Sequence, residues 1–253
     1  MPGSWVIVIP VKDAVAGKTR LSVSLDDRPR AALARAMALD TIAAAAACRL
    51  VGAVVVVTSD AVVAGEAART APLDRTTTAP HGSGSDAARS GRPSEAIVRV
   101  VPEPPHAGAR SGLDAAAAAG VTAARALLPG APVGVLLGDL PALRPDDLAE
   151  ALTVAEAHPR AMVADSSGTG TTLLTVGASG PFDSRFGAGS AAAHAAIGFT
   201  PLGVDPASTL RRDVDLPADL DVLRFLRPGP RTARLLDRLT VGEGRAPTSG
   251  PVA

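Results

Sequence analysis

The segment that most constrains the fold runs from Val133 to Leu148, with the sequence VGVLLGDLPALRPDDL. Its first five residues, Val133 to Leu137, are apolar without a polar break, which is typical of a strand buried on both faces of a parallel sheet. The strand must end before Pro141, because proline has no N–H to donate to a sheet ladder. A helix is then predicted from Pro145, with acidic residues in its first turn.

Asp139 therefore lies at the carboxyl end of a predicted central strand. Open α/β sheets bind their ligands at this edge, and a carboxylate there can hold a divalent metal against a phosphate. An aspartate that only caps the following loop is the alternative, and this segment by itself does not decide between the two.

Charge and hydropathy exclude several classes of protein. Basic and acidic residues number 25 each, so no net field attracts nucleic acid or an anionic membrane. The single cysteine, Cys48, excludes an internal disulfide framework. No segment has the roughly 20 apolar residues that span a bilayer, and no basic region precedes the apolar run at Trp5. We therefore expect a soluble, cytoplasmic protein.

Predicted strands and helices alternate along the chain, which indicates an α/β fold with a mainly parallel, doubly wound sheet. Strands are expected at residues 5–10, 51–60, 97–101, 133–137 and 160–165. Helices are expected at residues 26–50, 61–70, 112–128 and 145–157. We expect a single domain over residues 1–241, with a Gly/Ser/Pro-rich loop at 74–95 and a disordered tail at 242–253.

The loop after the first strand carries three cations, Lys12, Lys18 and Arg20. A basic loop in this position is well placed to bind a nucleoside triphosphate. It lacks the GxxxxGK[ST] spacing of a Walker A loop, and a solvated turn without function is the alternative.

Two further aspartates, Asp213 and Asp215, alternate around Val214 near the end of the chain. In an extended segment they point the same way, so they can share one metal ion with Asp139 if the segment folds back beside it. The alternative is a helix-capping pattern before the sequence ADLDVL, an interpretation that suits Asp219 better.

Two Gly-rich segments predict anion binding. In GTGTT, residues 168–172, glycines let the backbone approach an anion and threonine hydroxyls can donate to phosphate oxygens. In FGAGSAAAH, residues 186–194, Gly187, Gly189 and Ser190 precede a helix, whose N-terminus favours phosphate or carboxylate. A plain turn in the first segment and a plain N-cap at Ser190 are the alternatives.

Six segments of the chain together resemble the phosphoenolpyruvate and 2-phospho-L-lactate guanylyltransferases of coenzyme F(420) biosynthesis. In chain order they are VIPVKDAVAGKTRLS, VVVVTSD, LLGDLPALRPDDL, DSSGTGTTLL, FGAGSAAAH and DVDLPADLDVL. The resemblance implies a Rossmann-like nucleotidyltransferase fold related to the sugar-nucleotide transferases. It also implies a reaction that joins GMP from GTP to a three-carbon phosphate and releases pyrophosphate.

The resemblance implies roles for individual residues as well. The positions that resemble the family's Mg²⁺ carboxylates are Asp139, Asp213 and Asp215. The implied catalytic positions are Asp139, Lys18 and Arg20. The implied nucleotide-binding positions are Lys12, Lys18 and Gly138. The positions implied to hold the acceptor are Thr172, Gly187 and Ser190.

One region departs from the family pattern VVPDxxxAGLNxAL, since Glu103 replaces the aspartate and Asp114 the asparagine. This departure leaves the contacts to guanine open. The alternatives are a nucleotidyltransferase for a sugar phosphate or the molybdenum cofactor, and a catalytically silent nucleotide-binding subunit. The sequence does not distinguish phosphoenolpyruvate from 2-phospho-L-lactate, and a homodimer and hand-over of the product to the next enzyme are expectations from the family only.

Overall fold

The computed structural model describes residues 5–12, 26–70, 96–105 and 112–243. Lys18, Arg20 and the predicted 74–95 loop lie outside these residues, as does the predicted tail beyond Glu243. The described strands are β1 (Trp5–Val11), β2 (Val51–Thr58), β3 (Ile97–Pro102), β4 (Val133–Leu136), β5 (Arg160–Ala164), β6 (Thr171–Val176) and β7 (Thr200–Pro201). They form a single sheet in the order β3-β2-β1-β4-β6-β5-β7.

The helices that connect these strands are α1 (Asp27–Ala46), α2 (Ala61–Thr70), α3 (Gly112–Leu127), α4 (Pro145–Ala155), α5 (Ser190–Ala196), α6 (Pro217–Phe225) and α7 (Pro230–Glu243). A 3-10 helix occupies Thr209–Arg211. The sheet is mainly parallel, as predicted, and β6 runs antiparallel to both of its neighbours. No helix in the described part of the chain is both long and apolar enough to cross a membrane.

Strand β1 lies at the centre of the sheet, and its alternating side chains build a core on each face. Trp5, Ile7 and Ile9 pack with residues of α1, α2 and α4. Val6 and Val8 pack with α3 and α5 on the opposite face. Because both faces are covered by helices, the strand is apolar at every position, which is what made it recognisable in the sequence.

Several element boundaries differ from the predictions. Helix α1 ends at Ala46 rather than Leu50, because a turn is needed there to bring the chain into β2, and its bonds run from Cys48 N–H to Ala45 and from Val51 N–H to Cys48. Strand β2 ends at Thr58, since Asp60 caps α2 by accepting the N–H groups of Val62 and Val63. Helix α7 was not predicted, and it continues to Glu243, into the expected tail.

Two helical glycines give a matched pair of stability predictions. A Cβ on Gly120 of α3 would collide with Val8 Cγ1 in the sheet, whereas a Cβ on Gly65 of α2 would meet open space. We expect Gly120→Ala to lower the free energy of unfolding by about 1–3 kcal/mol through overpacking. Gly65→Ala should raise it by up to about 1 kcal/mol, because alanine favours the helix. Urea unfolding of both variants checks this, and equal effects would contradict the close packing of α3.

Candidate active site

A cavity of about 700 Å³ opens at the carboxyl ends of the central strands, within the size range of small-molecule sites. Lys12 lines it directly after β1, and Gly138 and Asp139 line it directly after β4. This is the edge at which open α/β sheets bind their ligands. The sequence-based prediction that Asp139 lies at this edge is confirmed.

Asp213 and Asp215 line the same cavity as Asp139, although 74 residues separate Asp213 from Asp139 in the chain. The backbone N–H of Val214 donates to the Asp139 carbonyl at 3.1 Å, which joins the two segments directly. The 3-10 helix before Asp213 is anchored as well, because the Thr209 N–H donates to the Asp147 carboxylate of α4 at 2.6 Å. The expected folding-back of this segment beside Asp139 is therefore observed.

The charges in this cavity repel one another. Burial, together with the neighbouring carboxylates of Asp139, Asp215 and Asp165, raises the pKa of Asp213 to about 7. A divalent cation would relieve this repulsion, and an all-oxygen, anionic donor set is the one that Mg²⁺ prefers. The residues present therefore fit a magnesium ion.

No three His, Cys, Asp or Glu side chains of the described residues form a ready-made metal cage. Such a cage is not required for Mg²⁺, which usually binds one or two carboxylates and completes its shell with substrate phosphates and water. The carboxylates that would hold the ion here are those of Asp139, Asp213 and Asp215.

Thr41 of α1 fixes the loop that carries Asp139. Its buried hydroxyl donates to the Met37 carbonyl at 2.9 Å and accepts the Leu140 N–H at 3.1 Å. The Gly138 carbonyl also lies 3.3 Å from this hydroxyl. The sequence around Thr41 gives no local signal for this contact, because its partner Leu140 lies 99 positions further along the chain.

The backbone of the 168–172 segment donates hydrogen bonds to a carboxylate of the same chain. Asp165 accepts the Thr169 N–H at 3.0 Å and the Gly170 N–H at 2.9 Å. A Cβ on Gly170 would collide with the Asp165 carboxylate, and Gly168 has a φ of +77° that favours glycine. Two backbone N–H groups of this segment, which was predicted to approach an anion, therefore bond the Asp165 carboxylate of the same chain, and Thr169 and Gly170 also line the cavity.

The three predicted acceptor residues have different surroundings. Gly187 and Ser190 line the cavity, whereas Thr172 lies outside this lining, fully buried, with its hydroxyl 3.4 Å from the Val163 carbonyl. The neighbouring Thr171 lines the cavity instead. Ser190 is the first residue of α5, and Gly189, with a φ of +71°, holds the N-cap position that the sequence analysis had offered to Ser190.

Asp114 of α3 holds the loop that leads to Gly187. Its buried carboxylate accepts the Ser184 hydroxyl at 2.7 Å and the Phe186 N–H at 3.0 Å. The other departure from the family pattern, Glu103, accepts the Ser59 hydroxyl at 2.8 Å. Asp114 therefore acts on the loop next to Ser190, which the sequence analysis did not anticipate.

An arginine that the sequence analysis missed also lines the cavity. Arg35 of α1 donates from Nε to the buried Asp60 carboxylate at 2.8 Å. The Asp219 carboxylate lines the cavity too, and it accepts the N–H groups of Asp215 and Leu216, which agrees with its predicted capping role at α6.

His194 of α5 is fully buried between the rings of Phe186 and Phe199. Burial is the main reason that its pKa is lowered to about 4, with the Asp114 charge opposing this shift, the Arg185 charge adding to it and the Asp183 charge opposing it least. The imidazole is therefore neutral at physiological pH.

We expect His194 to make the free energy of unfolding depend on pH. Its pKa rises from about 4 in the folded chain to 6.5 on unfolding, so the unfolded state binds more protons between these values. Its contribution is complete above about pH 6.5 and is lost as the pH falls toward 4. From pH 7 to pH 5 the native chain should lose about 2 kcal/mol more stability than His194→Asn.

Urea unfolding of both proteins at the two pH values measures this difference. Asp213, with its raised pKa, acts in the opposite direction in this range, so the comparison with the variant isolates the histidine. Parallel pH dependences would show that the imidazole is not the group responsible.

Comparison with known proteins adds whole-chain relatives. Residues 5–74 match the family model described as "Guanylyl transferase CofC like". The phosphoenolpyruvate guanylyltransferase of Sanguibacter keddieii is 45% identical over 95% of this chain and 87% of its own length. Those of Thermomonospora curvata and Streptomyces coelicolor are each 40% identical, over 97% and 94% of this chain and 94% and 98% of their own lengths.

A solved structure supports the fold. A protein from Desulfovibrio desulfuricans, provisionally assigned as a nucleotide-diphospho-sugar transferase, superimposes with a TM-score of 0.63. The superposition covers 94% of this chain and 96% of that chain at 15% sequence identity. At this identity the likeness concerns the fold alone, and it agrees with the predicted nucleotidyltransferase architecture.

Proposed function

The chain belongs to the phosphoenolpyruvate guanylyltransferase family, and from this premise we propose that it transfers the guanylyl group of GTP to phosphoenolpyruvate in coenzyme F(420) biosynthesis. The observation that carries the proposal is the 40–45% identity to enzymes of that name over nearly the whole chain. The cytoplasm, where GTP is available, is the expected compartment. Hand-over of the product to the next enzyme and a homodimer remain proposals from the family.

We assign the triphosphate of GTP to the side of the cavity formed by Lys12, Gly138 and Asp139. The Lys12 ammonium would neutralise phosphate charge. Gly138 lets the loop pack closely against β1, since a Cβ there would come within 3.2 Å of Val11 Cγ2. Lys18 and Arg20 follow Lys12 in the chain and are proposed to contact the same phosphates. Arg35, held by Asp60, is a further candidate for this role.

Asp139, Asp213 and Asp215 are proposed to hold Mg²⁺ against the triphosphate. When bound, the ion would neutralise charge on the phosphates and orient the leaving group. The chain contributes the rigid supports of these carboxylates, namely the Thr41 hydroxyl under the Asp139 loop and the Asp147 carboxylate under the 3-10 helix. Fixed positions of this kind reduce the reorganisation that the reaction would otherwise require.

The proposed reaction is an in-line displacement at phosphorus. An oxygen of the acceptor's phosphate forms a bond to the α-phosphorus of GTP, and the bond to the bridging α–β oxygen breaks, so pyrophosphate leaves with that electron pair. A phosphate monoester loses its second proton at a pKa near 6, so at pH 7 the nucleophile is already ionised. This agrees with the state of His194, which among the described residues packs behind the cavity wall and is fully buried and neutral.

The test is pyrophosphate release by the purified chain with Mg²⁺, GTP and either phosphoenolpyruvate or 2-phospho-L-lactate. We expect release that requires GTP rather than ATP and that is faster with phosphoenolpyruvate. The partner enzyme that consumes the product should be present in a parallel assay, because the product can be labile or inhibitory. Release with a sugar phosphate, and none with either three-carbon acceptor, would overturn the proposal.

A further inference from the structure

Two hydroxyl groups in the cavity wall, those of Thr171 and Ser190, form a hydrogen-bonded pair. Ser190 Oγ lies 3.3 Å from Thr171 Oγ1, and both residues line the cavity beside Gly187. A phosphate or an ionised carboxylate only accepts hydrogen bonds. The pair can therefore bind such a group only if one of its two hydrogens is not used within the protein.

His194 determines how these hydrogens are used. Its Nε2 lies 2.8 Å from the backbone nitrogen of Arg185, and its Nδ1 lies 3.0 Å from Thr171 Oγ1. Because a backbone N–H can only donate, Nε2 must be the acceptor and carries no proton. In the neutral ring the proton is then on Nδ1, which donates to Thr171.

The opposite tautomer would leave no hydrogen for a ligand. With an unprotonated Nδ1, Thr171 would donate to His194 and Ser190 would donate to Thr171. With Nδ1 protonated, Thr171 accepts from His194, and only one hydrogen is used between Thr171 and Ser190. The second hydroxyl hydrogen then remains for a group in the cavity.

We propose that His194 is a positioning residue, which through the Arg185 N–H keeps one hydroxyl hydrogen of the Thr171–Ser190 pair available to the anionic end of the acceptor. The identity of the ligand rests on the proposed function. Thr171 thereby joins the acceptor site, beside Gly187 and Ser190. The Asp114 carboxylate completes the arrangement, because its bond to the Phe186 N–H holds the loop that carries the Arg185 N–H.

Steady-state kinetics of Thr171→Val test the role of the hydroxyl. We expect the KM for phosphoenolpyruvate to rise about tenfold or more, as for a lost hydrogen bond to a charged group, with the KM for GTP changed less than about twofold. Thr175→Val is the matched control, since its hydroxyl is buried on the same strand and bonds the Ala161 carbonyl at 3.3 Å. An unchanged KM for the acceptor, or an equal rise for GTP, would overturn the proposal.

Two substitutions of His194 separate its two nitrogens. Asparagine has an amide nitrogen near the position of Nδ1 and retains the donor to Thr171, whereas glutamine reaches only the position of Nε2. His194→Asn should therefore keep the acceptor KM within about threefold of the native value, and His194→Gln should raise it as Thr171→Val does. Combining His194→Gln with Thr171→Val should add nothing further. Additive effects, or a larger loss in His194→Asn than in His194→Gln, would contradict the mechanism.

A measurement that does not depend on turnover keeps this inference distinct from the proposed function. Long-range ¹⁵N NMR of the histidine side chains reports the tautomer, and the His194 signal is assigned by its absence from His194→Gln. We expect a neutral ring with the proton on Nδ1 at pH 7, and the other tautomer or a charged ring would overturn the inference. A native chain that shows this tautomer but releases no pyrophosphate would instead overturn the proposed function.

Discussion

Asp139→Asn is expected to lower kcat by at least about a thousandfold, which corresponds to about 4 kcal/mol of lost transition-state stabilisation. The substitution keeps the shape of the side chain and the backbone carbonyl that accepts the Val214 N–H. It removes the charge that Asp139 contributes to the carboxylate group and so weakens the proposed hold on Mg²⁺. Pyrophosphate release under saturating GTP and acceptor measures the effect.

The same variant should be as stable as the native chain, or more stable, in the absence of Mg²⁺. The charge of Asp139 raises the pKa of Asp213, so removing it relieves repulsion in the folded state. Asp205→Asn is the matched control, because this exposed aspartate bonds the Ala207 N–H away from the cavity lining, and its activity should be unchanged. Full activity of Asp139→Asn would refute the assignment of this carboxylate to the metal.

Asp40→Ala should lower the free energy of unfolding by about 3 kcal/mol, because one buried and one part-buried backbone N–H group lose a charged acceptor. Asp40 lies in α1, and its buried carboxylate accepts the N–H of Arg231 at 3.2 Å and of Thr232 at 2.7 Å, at the start of α7. Thermal unfolding should show a Tm about 10 °C below that of the native chain. Asp26→Ala, which removes an exposed carboxylate at the start of the same helix that makes no capping hydrogen bond, should have little effect.

A substitution at Gly229, just before α7, separates the effect of packing against Asp40 from the effect of the Asp40 hydrogen bonds. A Cβ on Gly229 would collide with the Asp40 carboxylate, so Gly229→Ala should destabilise the native chain. In the Asp40→Ala background the obstacle is absent, and the same substitution should cost much less. If the two substitutions lowered the free energy of unfolding additively, Gly229 would not pack against the Asp40 carboxylate.

The contact between Asp40 of α1 and the start of α7 should also affect kcat. Val214, the residue between two of the proposed metal carboxylates, is buried in a small core with Leu33 and Met37 of α1 and Leu236 of α7. Loosening α7 therefore removes part of the support of Asp213 and Asp215. Asp40→Ala is expected to reduce kcat as well as stability, by a smaller factor than Asp139→Asn.

Much of the fold could be predicted because the central strands are apolar at every position and end in polar or glycine residues. The buried run of β4 with Asp139 at its end needed no knowledge of distant residues. Asp213 and Asp215 could be paired because alternation in an extended segment is a local property. Helix α7 could not be predicted in the same way, since its N-terminal cap comes from Asp40, about 190 residues earlier in the chain.

The hydrogen bonds that hold the loops of the site could not be predicted either, because they also join residues far apart in the chain. Thr41 bonds a residue 99 positions away, and Asp114 bonds one 72 positions away. The Gly-rich segment was predicted either to approach an anion or to form a plain turn, and two of its N–H groups bond the Asp165 carboxylate of the same chain. Local composition indicates that a backbone approaches a charge, whereas only the fold shows whether that charge belongs to the protein or to a ligand.

The most direct test of the central claim follows the phosphate oxygens of the acceptor. Phosphoenolpyruvate labelled with ¹⁸O at its phosphate is incubated with the native chain, Mg²⁺ and GTP, and the products are observed by ³¹P NMR and mass spectrometry. In-line attack by the acceptor predicts ¹⁸O in the bridge to the guanylyl phosphorus and none in the released pyrophosphate. Label in the pyrophosphate, or a guanylyl product without the acceptor's oxygen, would contradict guanylyl transfer to this acceptor.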